Sequence, residues 1–192
     1  PMGKRIVFTT SAAELKRKIR PLGLTPKKDS VILATGGARG ITAETIKLLS
    51  NEGNQMILVG RSKLLDRSDF LKYENLDEAS LRRELIIEAK TASTPIGPKI
   101  IESKIRKILS DRERRQNIAD LRRVGNKVRY VSCDVADEKE FSNLIDSIYD
   151  EFGKIDIVIH GAGIIMDHLL RDKDSESLNK VIDTKVNSAF FL

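Results

Sequence analysis

A cluster of glycines between two apolar segments is the part of this sequence whose residue types and spacing most clearly suggest chemistry. The stretch reads ATGGARGIT and places Gly36, Gly37 and Gly40 in one turn. Binding of a diphosphate requires a tight turn, close backbone approach without a Cβ atom, and helix N–H groups directed at the phosphate oxygens. The glycines meet the first two requirements, and a helix that opens near Ile41 meets the third. We therefore predict nucleotide binding by Thr35, Gly36, Gly37, Arg39, Gly40 and Ile41.

The spacing of this turn, T-G-x-x-x-G, is longer than that of the ordinary dinucleotide fingerprint. Thr42 stands where a third glycine is common, so we expect the closest helix–strand contact to be slightly looser. A glycine-rich turn alone is weak evidence, because many strand–helix turns contain glycine. Here a strand precedes the turn, a helix follows it and a second strand comes next, and that combination favours a nucleotide site.

The end of the second strand indicates which nucleotide is bound. An acidic residue at this point would hold the ribose 2′-hydroxyl of NAD and repel a phosphate. The strand instead ends in VGRS, where Arg61 and Ser62 offer a guanidinium and a hydroxyl group. Arg39 can approach the same phosphate from the glycine turn. Either arginine alone is more often a surface charge, but the two together, with no acid at the strand end, favour NADPH.

Lys185 is an unusual residue near the end of the sequence. At 100° per residue, one helix face carries an apolar stripe with Lys185 near its centre, while Asn187 points away. The stripe comprises Leu178, Val181, Ile182, Val186 and Ala189. A lysine directed at a core is costly unless its amine reaches water, is paired or has a function. The stripe alone leaves open a packed stem with a solvated amine.

Apolar runs alternate with amphipathic helices along most of the chain. Helices are predicted over residues 40–53 and 137–153, and the predicted strands are SVILATGG, QMILVG, KVRYVSCDV and KIDIVIHGAG. Asp137 and Glu140 have the spacing of a capping box at the start of the second of these helices. Continuous apolar strands separated by helices are typical of a parallel sheet covered on both faces. We predict an α/β, Rossmann-like, doubly wound sheet with the strand order 3-2-1-4.

Two segments fall outside this pattern. Residues 1–29 form a basic lead-in and linker, in which SAAELKRKI can form a short helix. Residues 62–126 are far longer than the single crossover helix that a βαβ unit requires. Helices are predicted there at 77–90 and 99–124, with apolar faces made by Leu81, Leu85, Ile86 and Ala89 and by Ile101, Ile105, Ile108 and Leu109. We interpret the stretch as a helical insertion that docks against a neighbouring surface. Recruitment of a carrier protein is the weaker hypothesis.

The composition limits the class of protein. The 192 residues carry a formal net charge of +6, a property shared by nucleic-acid-binding proteins. The basic residues interleave with acidic ones, however, as in KIRKILSDRERRQ, and such mixing is typical of a solvated helix face. No apolar run is long enough to span a membrane, and we predict no metal site. The single cysteine, Cys133, excludes an internal disulfide and suits a reducing cytoplasm.

The motifs TGGARGITAE, LVGRS, SCDVAD, IHGAGI and DTKVNSAFF follow the order found in short-chain dehydrogenases/reductases. More narrowly, residues 30–192 resemble the ketoreductase domains of multifunctional polyketide and polyunsaturated fatty acid synthases, including the enlarged segment before the third strand. The resemblance implies that Asp134 and Val135 border the adenine, and that the nicotinamide-side ribose is approached by Gly161, Ala162 and Gly163. Without the resemblance, a turn or cap role for Asp134 stays an alternative. His160 is interpreted as a packed or hydrogen-bonded structural residue.

The resemblance also gives Lys185 a role. Ordinary family members carry asparagine at this position, whereas modular-synthase ketoreductases exchange that asparagine with the catalytic lysine, and TKVNSA matches the exchanged form. The Lys185 ammonium is therefore expected near the cofactor ribose and the catalytic tyrosine, where it favours the phenolate. The family's catalytic serine and tyrosine follow this helix, and their place is not matched by Tyr73, Tyr130 or Tyr149. The sequence is therefore expected to be truncated at its C-terminus.

These observations predict an NADPH-dependent reductase that acts on a β-ketoacyl thioester carried on acyl carrier protein, alongside other synthase domains. The fragment itself is expected to bind NADPH without turning over a ketoacyl substrate. The fourth strand should leave a hydrophobic edge, which missing residues, another copy or a partner would cover. Three alternatives stay open: a noncatalytic synthase module, a stand-alone reductase for another carbonyl, and a basic nucleic-acid-binding protein.

Overall fold

The computed structural model describes residues 25–91 and 97–192. The short helix predicted from SAAELKRKI lies outside the described residues, as does part of the linker that follows it. Within the described ranges, no helix is long and apolar enough to cross a membrane.

Four parallel strands form a sheet in the order β3-β2-β1-β4, which confirms the predicted strand order. The strands are β1 (Val31–Thr35), β2 (Gln55–Gly60), β3 (Lys127–Ser132) and β4 (Ile157–His160). Thr35 pairs with Val59 of β2 and with His160 of β4, so the carboxyl ends of these strands lie side by side. The loops that follow the strands therefore converge at one edge of the sheet, where ligands bind in open α/β sheets.

The helices agree with the sequence pattern except near the glycine turn and in the insertion. They are α1 (Gly40–Leu49), α2 (Arg67–Tyr73), α3 (Glu78–Thr91), α4 (Pro98–Arg123), α5 (Glu138–Phe152), α6 (Ser175–Ile182) and α7 (Ser188–Phe190), with a π-helical segment, Asp183–Asn187, between the last two. The predicted bounds of α3, α4 and α5 are correct to within one residue. The first helix ends at Leu49 rather than at Gly53. The pattern misses α2, because seven residues are too few to establish an apolar period.

Two apolar clusters hold the sheet between layers of helices. On one face, Leu33 packs in a cluster with Phe141 of α5. On the other face, Leu58 belongs to a cluster with Ile46 of α1 and Leu121 of α4. Successive strand residues point to opposite faces, so a strand buried on both faces must be apolar throughout. The doubly wound architecture is thereby confirmed.

A third apolar cluster lies outside the sheet and joins α2, α3 and the first half of α4. Its buried members are Tyr73, Leu81, Leu85, Ile105 and Ile108. The predicted apolar face of α3 is confirmed only in part, because Ile86 is exposed. The second half of α4 covers the sheet through Ile118 and Leu121. This helix is thus both the crossover between β2 and β3 and the longest element of the predicted insertion.

The outer strand β4 has the hydrophobic edge that the sequence predicts. Within the described ranges β4 pairs with β1 alone, and Val158 is exposed on the same sheet face as Leu33. What covers this edge stays a prediction.

The apolar stripe of the C-terminal helical segment faces solvent, so the prediction that it faces a core is wrong. Leu178, Ile182 and Val186 are 43%, 37% and 47% exposed, and the buried residues of the segment are Ser177 and Ser188. The segment docks through polar contacts, because His160 meets both the Lys185 carbonyl and the Ser188 hydroxyl. In addition, the π-helical segment has more residues per turn than an α-helix, which invalidates a 100° projection across it.

Candidate nucleotide-binding site

A cleft of about 290 Å³ opens at the carboxyl ends of the strands. The structure brings together there the predicted residues Gly36, Arg39, Arg61, Ser62, Asp134, Val135, Gly161, Ala162 and Gly163. It also places there six residues that the sequence pattern did not single out for binding: Thr42, Val59, Gly60, Cys133, Ile164 and Thr184. Five predicted residues do not line the cleft, namely Thr35, Gly37, Gly40, Ile41 and Lys185.

The glycine turn passes directly over the loop that follows β4. Gly36 has φ of 66°, and a Cβ atom there would lie 2.7 Å from the carbonyl oxygen of Gly161. Gly37 faces the core instead, since a Cβ atom there would meet Ile46. Gly40 begins α1, and the Ile41 side chain is exposed on that helix. What Gly40 and Ile41 can offer a ligand is therefore the set of N–H groups in the first turn of α1.

Thr35 is buried and does not line the cleft, and its hydroxyl links two loops by hydrogen bonds. Its hydroxyl donates to His160 Nδ1 at 2.8 Å and accepts the N–H of Ala162 at 3.1 Å. The other ring nitrogen, Nε2, lies 3.2 Å from the Lys185 carbonyl. Because a carbonyl only accepts, the network assigns the proton to Nε2. The structural interpretation of His160 is confirmed, and through it the residue aligns the β1 loop, the β4 loop and the segment that carries Lys185.

Thr42 is accommodated by the absence of a side chain at Gly161. A Cβ atom on Gly161 would overlap Thr42 Oγ1 and lie 2.6 Å from its Cγ2. The bulk of the threonine is therefore matched by a glycine on the facing loop, and the expectation of a slightly looser helix–strand contact stays a prediction.

The loop after β2 is held in place from β3. Tyr130 donates its hydroxyl to the Ser62 carbonyl at 2.6 Å, and Ser132 donates to the Arg61 carbonyl at 3.0 Å. Burial raises the pKa of the Tyr130 phenol, which keeps it a donor at neutral pH. The Arg61 side chain is exposed and makes no salt bridge with any residue of the two described ranges. Its backbone is fixed while its guanidinium stays available.

Arg39, by contrast, is already paired with an acid from α4. Its Nε lies 2.7 Å from Glu113 Oε2, and the other carboxylate oxygen accepts the N–H of Gly40 at 3.0 Å. Burial works to raise the pKa of Glu113, but the bonds from Gly40 and Arg39 outweigh it and lower the pKa. The carboxylate therefore occupies two donors that an anionic ligand would also use. The sequence pattern gave no indication of this contact.

The loop after β3 forms a turn and also contributes one wall of the cleft. Asp134 Oδ1 accepts the N–H of Ala136 at 3.1 Å, which is the turn role that the sequence left as an alternative. Asp137 caps α5 as predicted, accepting the N–H of Glu140, whereas Glu140 reaches back to the N–H of Asp134 instead of Asp137. Val135 is buried in the cluster around α5 and also lines the cleft.

Cys133 lines the cleft but is a poor nucleophile. Burial, assisted by neighbouring carboxylates, raises the pKa of its thiol to about 11. At pH 8 the folded chain should react with iodoacetamide about a hundredfold more slowly than an ordinary thiol, because only the thiolate attacks. Mass spectrometry over time measures the rate, and the same chain in urea provides the control. Equal rates in the folded and unfolded states would contradict the burial of this thiol.

Lys185 lies alongside Gly163, which is one of the cleft residues. A Cβ atom on Gly163 would lie 2.7 Å from Lys185 Cε, so the lysine stem covers this glycine. Asn187 donates instead to Asp183 within its own segment, at 2.7 Å. The lysine and not the asparagine thus reaches the loop after β4, although the lysine is exposed. Its catalytic role stays a prediction.

Residues 30–192 match the protein family described as KR domain. The chain belongs to the KR domain family, within the short-chain dehydrogenase/reductase superfamily. It is 29% identical over 167 residues to a polyunsaturated fatty acid synthase polypeptide of Thraustochytrium sp., a match that covers 83% of the chain and 6% of that protein. It is 34% identical over 62 residues to the 3-oxoacyl-[acyl-carrier-protein] reductase FabG of Buchnera aphidicola, covering 32% of the chain and 25% of that protein.

Solved structures show the same fold. The KR domain superposes on an N-terminal ketoreductase from the macrolactin assembly line with a TM-score of 0.59 and 27% identity, covering 88% of this chain and 25% of that one. A ketoreductase domain from the bacillaene assembly line gives a TM-score of 0.54 at 21% identity, covering 84% and 28%. The chain therefore spans well under two thirds of the length of these relatives.

Proposed function

We propose that this KR domain forms the cofactor-binding part of an NADPH-dependent reductase that converts a β-ketoacyl thioester on acyl carrier protein to the β-hydroxyacyl form. The observation that carries the proposal is the corner of the cleft beyond β2, where two guanidinium groups, Arg39 and Arg61, adjoin a cavity and no acid directly follows the strand. The substrate class is taken from the named relatives, a polyunsaturated fatty acid synthase and an acyl-carrier-protein reductase. Other domains of such a synthase are the expected partners.

The residues of the cleft fit a nicotinamide dinucleotide phosphate. The turn at Gly36 and the N–H groups at the start of α1 suit the diphosphate. For the 2′-phosphate the cleft offers Arg39, Arg61 and Ser62, and guanidinium groups bind phosphate through paired charge-assisted hydrogen bonds. The adenine would be bordered by Asp134 and Val135, and the nicotinamide-side ribose by Gly161, Ala162 and Gly163.

The chain's own contribution to the chemistry would come from Lys185. NADPH, when bound, supplies a hydride for the β-carbonyl carbon of the substrate. An ammonium group beside the ribose lowers the pKa of a neighbouring phenol and so favours proton delivery. The cleft beside Gly163 is not lined by Tyr73, Tyr130 or Tyr149. We therefore propose that the tyrosine, and the serine that orients the carbonyl oxygen, are supplied by other residues of the parent protein.

Titration of the 192-residue chain with NADPH and NADH tests the proposed cofactor. Nicotinamide fluorescence gives both affinities. NADPH should bind about a hundredfold more tightly or better at low ionic strength, because surface charges are then least screened. Equal affinities, or no binding by a folded chain, would overturn it. The substrate class is tested separately in the full-length parent protein, by NADPH oxidation with a ketoacyl thioester.

A second candidate function, a noncatalytic synthase module, is favoured by the position of Glu113. This carboxylate holds Arg39 and the N–H of Gly40, two of the donors that a bound phosphate would need. If the contact were permanent, the cleft would be closed to anions at this point.

The variant Glu113→Gln separates the two functions. If the cleft binds NADPH, removing the carboxylate frees Arg39 and abolishes a repulsion, so affinity should rise about five- to tenfold at low salt. Fluorescence titration measures the change. Glu151→Gln, which breaks the exposed Arg129–Glu151 pair on the opposite end of the sheet, is the matched control and should have no effect. If neither the wild type nor Glu113→Gln binds NADPH although both fold, the noncatalytic module is supported. Unchanged NADPH affinity in Glu113→Gln would contradict the competition between Glu113 and the phosphate.

A further inference from the structure

Helix α4 directs a buried arginine into the corner where the 2′-phosphate is proposed to bind. Arg114 is only 7% exposed, and its Nη1 has no hydrogen-bond partner among residues 25–91 and 97–192. The side chain borders a cavity of about 100 Å³ that it shares with Arg39, Arg61, Ser62 and Tyr130. A buried guanidinium with an unused donor is costly, and such groups in native proteins call for an explanation.

The nearest acid does not satisfy Arg114. Asp111 Oδ1 lies 3.6 Å from Arg114 Nη1, beyond hydrogen-bond distance. Both oxygens of this buried carboxylate are engaged elsewhere, Oδ1 by the N–H of Leu65 at 3.0 Å and Oδ2 by Arg115 Nε at 2.7 Å. The charge of Asp111 is therefore shared between two arginines, and the corner keeps a net positive charge.

The surrounding contacts place Arg114 between the two loops of the corner. On one side, Asn117 donates to the Ala38 carbonyl of the glycine turn at 3.0 Å, while Glu113 holds Arg39 of the same turn. On the other side, Asp111 accepts from Leu65, which follows the loop at the end of β2. The helix turn that carries Arg114 is thus anchored to both loops, and its guanidinium cannot move far from the cavity between them.

We propose that Arg114 is a third guanidinium ligand of the nucleotide 2′-phosphate, and that α4 thereby determines cofactor specificity together with the two loops. This inference rests on the proposed function, since it assigns one more residue to the same phosphate. The rival interpretation is that Arg114 only stabilises α4 through its attraction to Asp111.

The experiment compares two ligands that differ only in the 2′-phosphate, 2′,5′-ADP and 5′-AMP. Isothermal titration of the 192-residue chain should show Arg114→Gln binding 2′,5′-ADP about tenfold or more weakly, with 5′-AMP affinity unchanged within about twofold, because one charge-assisted contact is lost. The control Arg123→Gln removes the same charge from an exposed position of the same helix and should alter neither affinity.

Each outcome decides between the two interpretations. If Arg114→Gln lowers the melting temperature but discriminates between the ligands as the wild type does, Arg114 is purely structural and the inference fails while the proposed function stands. If the wild type itself does not discriminate, both fail. If Arg114→Gln does not fold, Arg114→Lys serves instead: it keeps the charge but lacks the planar fork, and it should lose about three- to fivefold for 2′,5′-ADP alone.

Discussion

Replacing Arg39 and Arg61 together by serine is expected to remove most of the preference for NADPH over NADH that we propose for this KR domain. The two guanidinium groups adjoin the same cavity from different loops, and a charge-assisted hydrogen bond contributes about 1.5–3 kcal/mol. Loss of both should weaken NADPH binding by about a hundredfold or more, since roughly 1.4 kcal/mol corresponds to tenfold. NADH, which has no 2′-phosphate, should bind within a few fold of its original affinity. Fluorescence titration of both cofactors gives the ratio.

The two single variants should differ in a way that the sequence alone does not suggest. Arg61 is unpaired within the described ranges, whereas Arg39 shares its charge with Glu113. Arg61→Ser should therefore lose only the contacts of its own guanidinium, and adding Glu113→Gln should not restore them selectively. In Arg39→Ser, the carboxylate of Glu113 keeps its bond to Gly40 but loses its counter-ion, so it would repel a phosphate more strongly. Adding Glu113→Gln to that variant should recover part of the affinity.

A uniform loss of affinity for NADPH and NADH in the double variant, with an unchanged melting temperature, would contradict this assignment. It would mean that the arginines support the loops and do not distinguish the two cofactors. The exposed Arg123 again provides the control for a general charge effect, because it lies at the far end of α4.

The sheet and the positions of its loops could be predicted from the sequence, because they follow from local chemistry. A strand buried on both faces must be apolar at every position, and each such run here ends in residues suited to a turn. Glycines at 36, 161 and 163 mark the points where loops or a lysine stem pass too closely for a side chain. These requirements are local enough to be visible in a single sequence.

Helix α4 shows why the rest of the site could not be predicted. Its buried face continues from Ile105 and Ile108 through Asp111 and Arg114 to Ile118. The spacing places these residues on one side of the helix, but the polar pair sits in a run of charges that is typical of a solvated surface. Only docking against the glycine turn and the β2 loop shows that these charges face inward. The signal that could have revealed them is their helical spacing from Ile105 and Ile108, which places Asp111 and Arg114 on the buried face.

The interpretation of the C-terminal segment failed for a related reason. A helical projection assumes a constant 100° per residue and a partner for every apolar face. The π-helical segment breaks the first assumption. The second fails because the segment docks through a polar contact, between Ser188 and His160, and leaves its apolar face exposed. Lys185 nevertheless reaches Gly163, so the expected proximity to the cleft holds although the argument for it does not.

The second large effect is expected from Gly161→Ala, which should destabilise the chain by about 2–3 kcal/mol, as overpacking of a rigid contact does. The new Cβ atom would overlap the side chain of Thr42 in the first turn of α1, and neither the sheet end nor the helix can move freely. Urea denaturation measures the free energy of unfolding. Gly97→Ala is the control, because a Cβ atom there meets nothing within 4 Å. Since Gly97 is the N-cap of α4, this variant should lose only about 0.5–1 kcal/mol.

Removing the threonine side chain should rescue the variant. Thr42→Gly alone should cost about 0.3 kcal/mol through helix propensity. The double variant Gly161→Ala/Thr42→Gly should be no less stable than Thr42→Gly, which gives a coupling energy of about 2 kcal/mol between residues in direct contact. Additive losses would show that the two loops do not touch in solution. The glycine turn crosses the same loop at Gly36, so the rescue should extend to nucleotide binding. A variant that regains stability but not NADPH affinity would show that ligand binding depends on the exact position of the loop after β4.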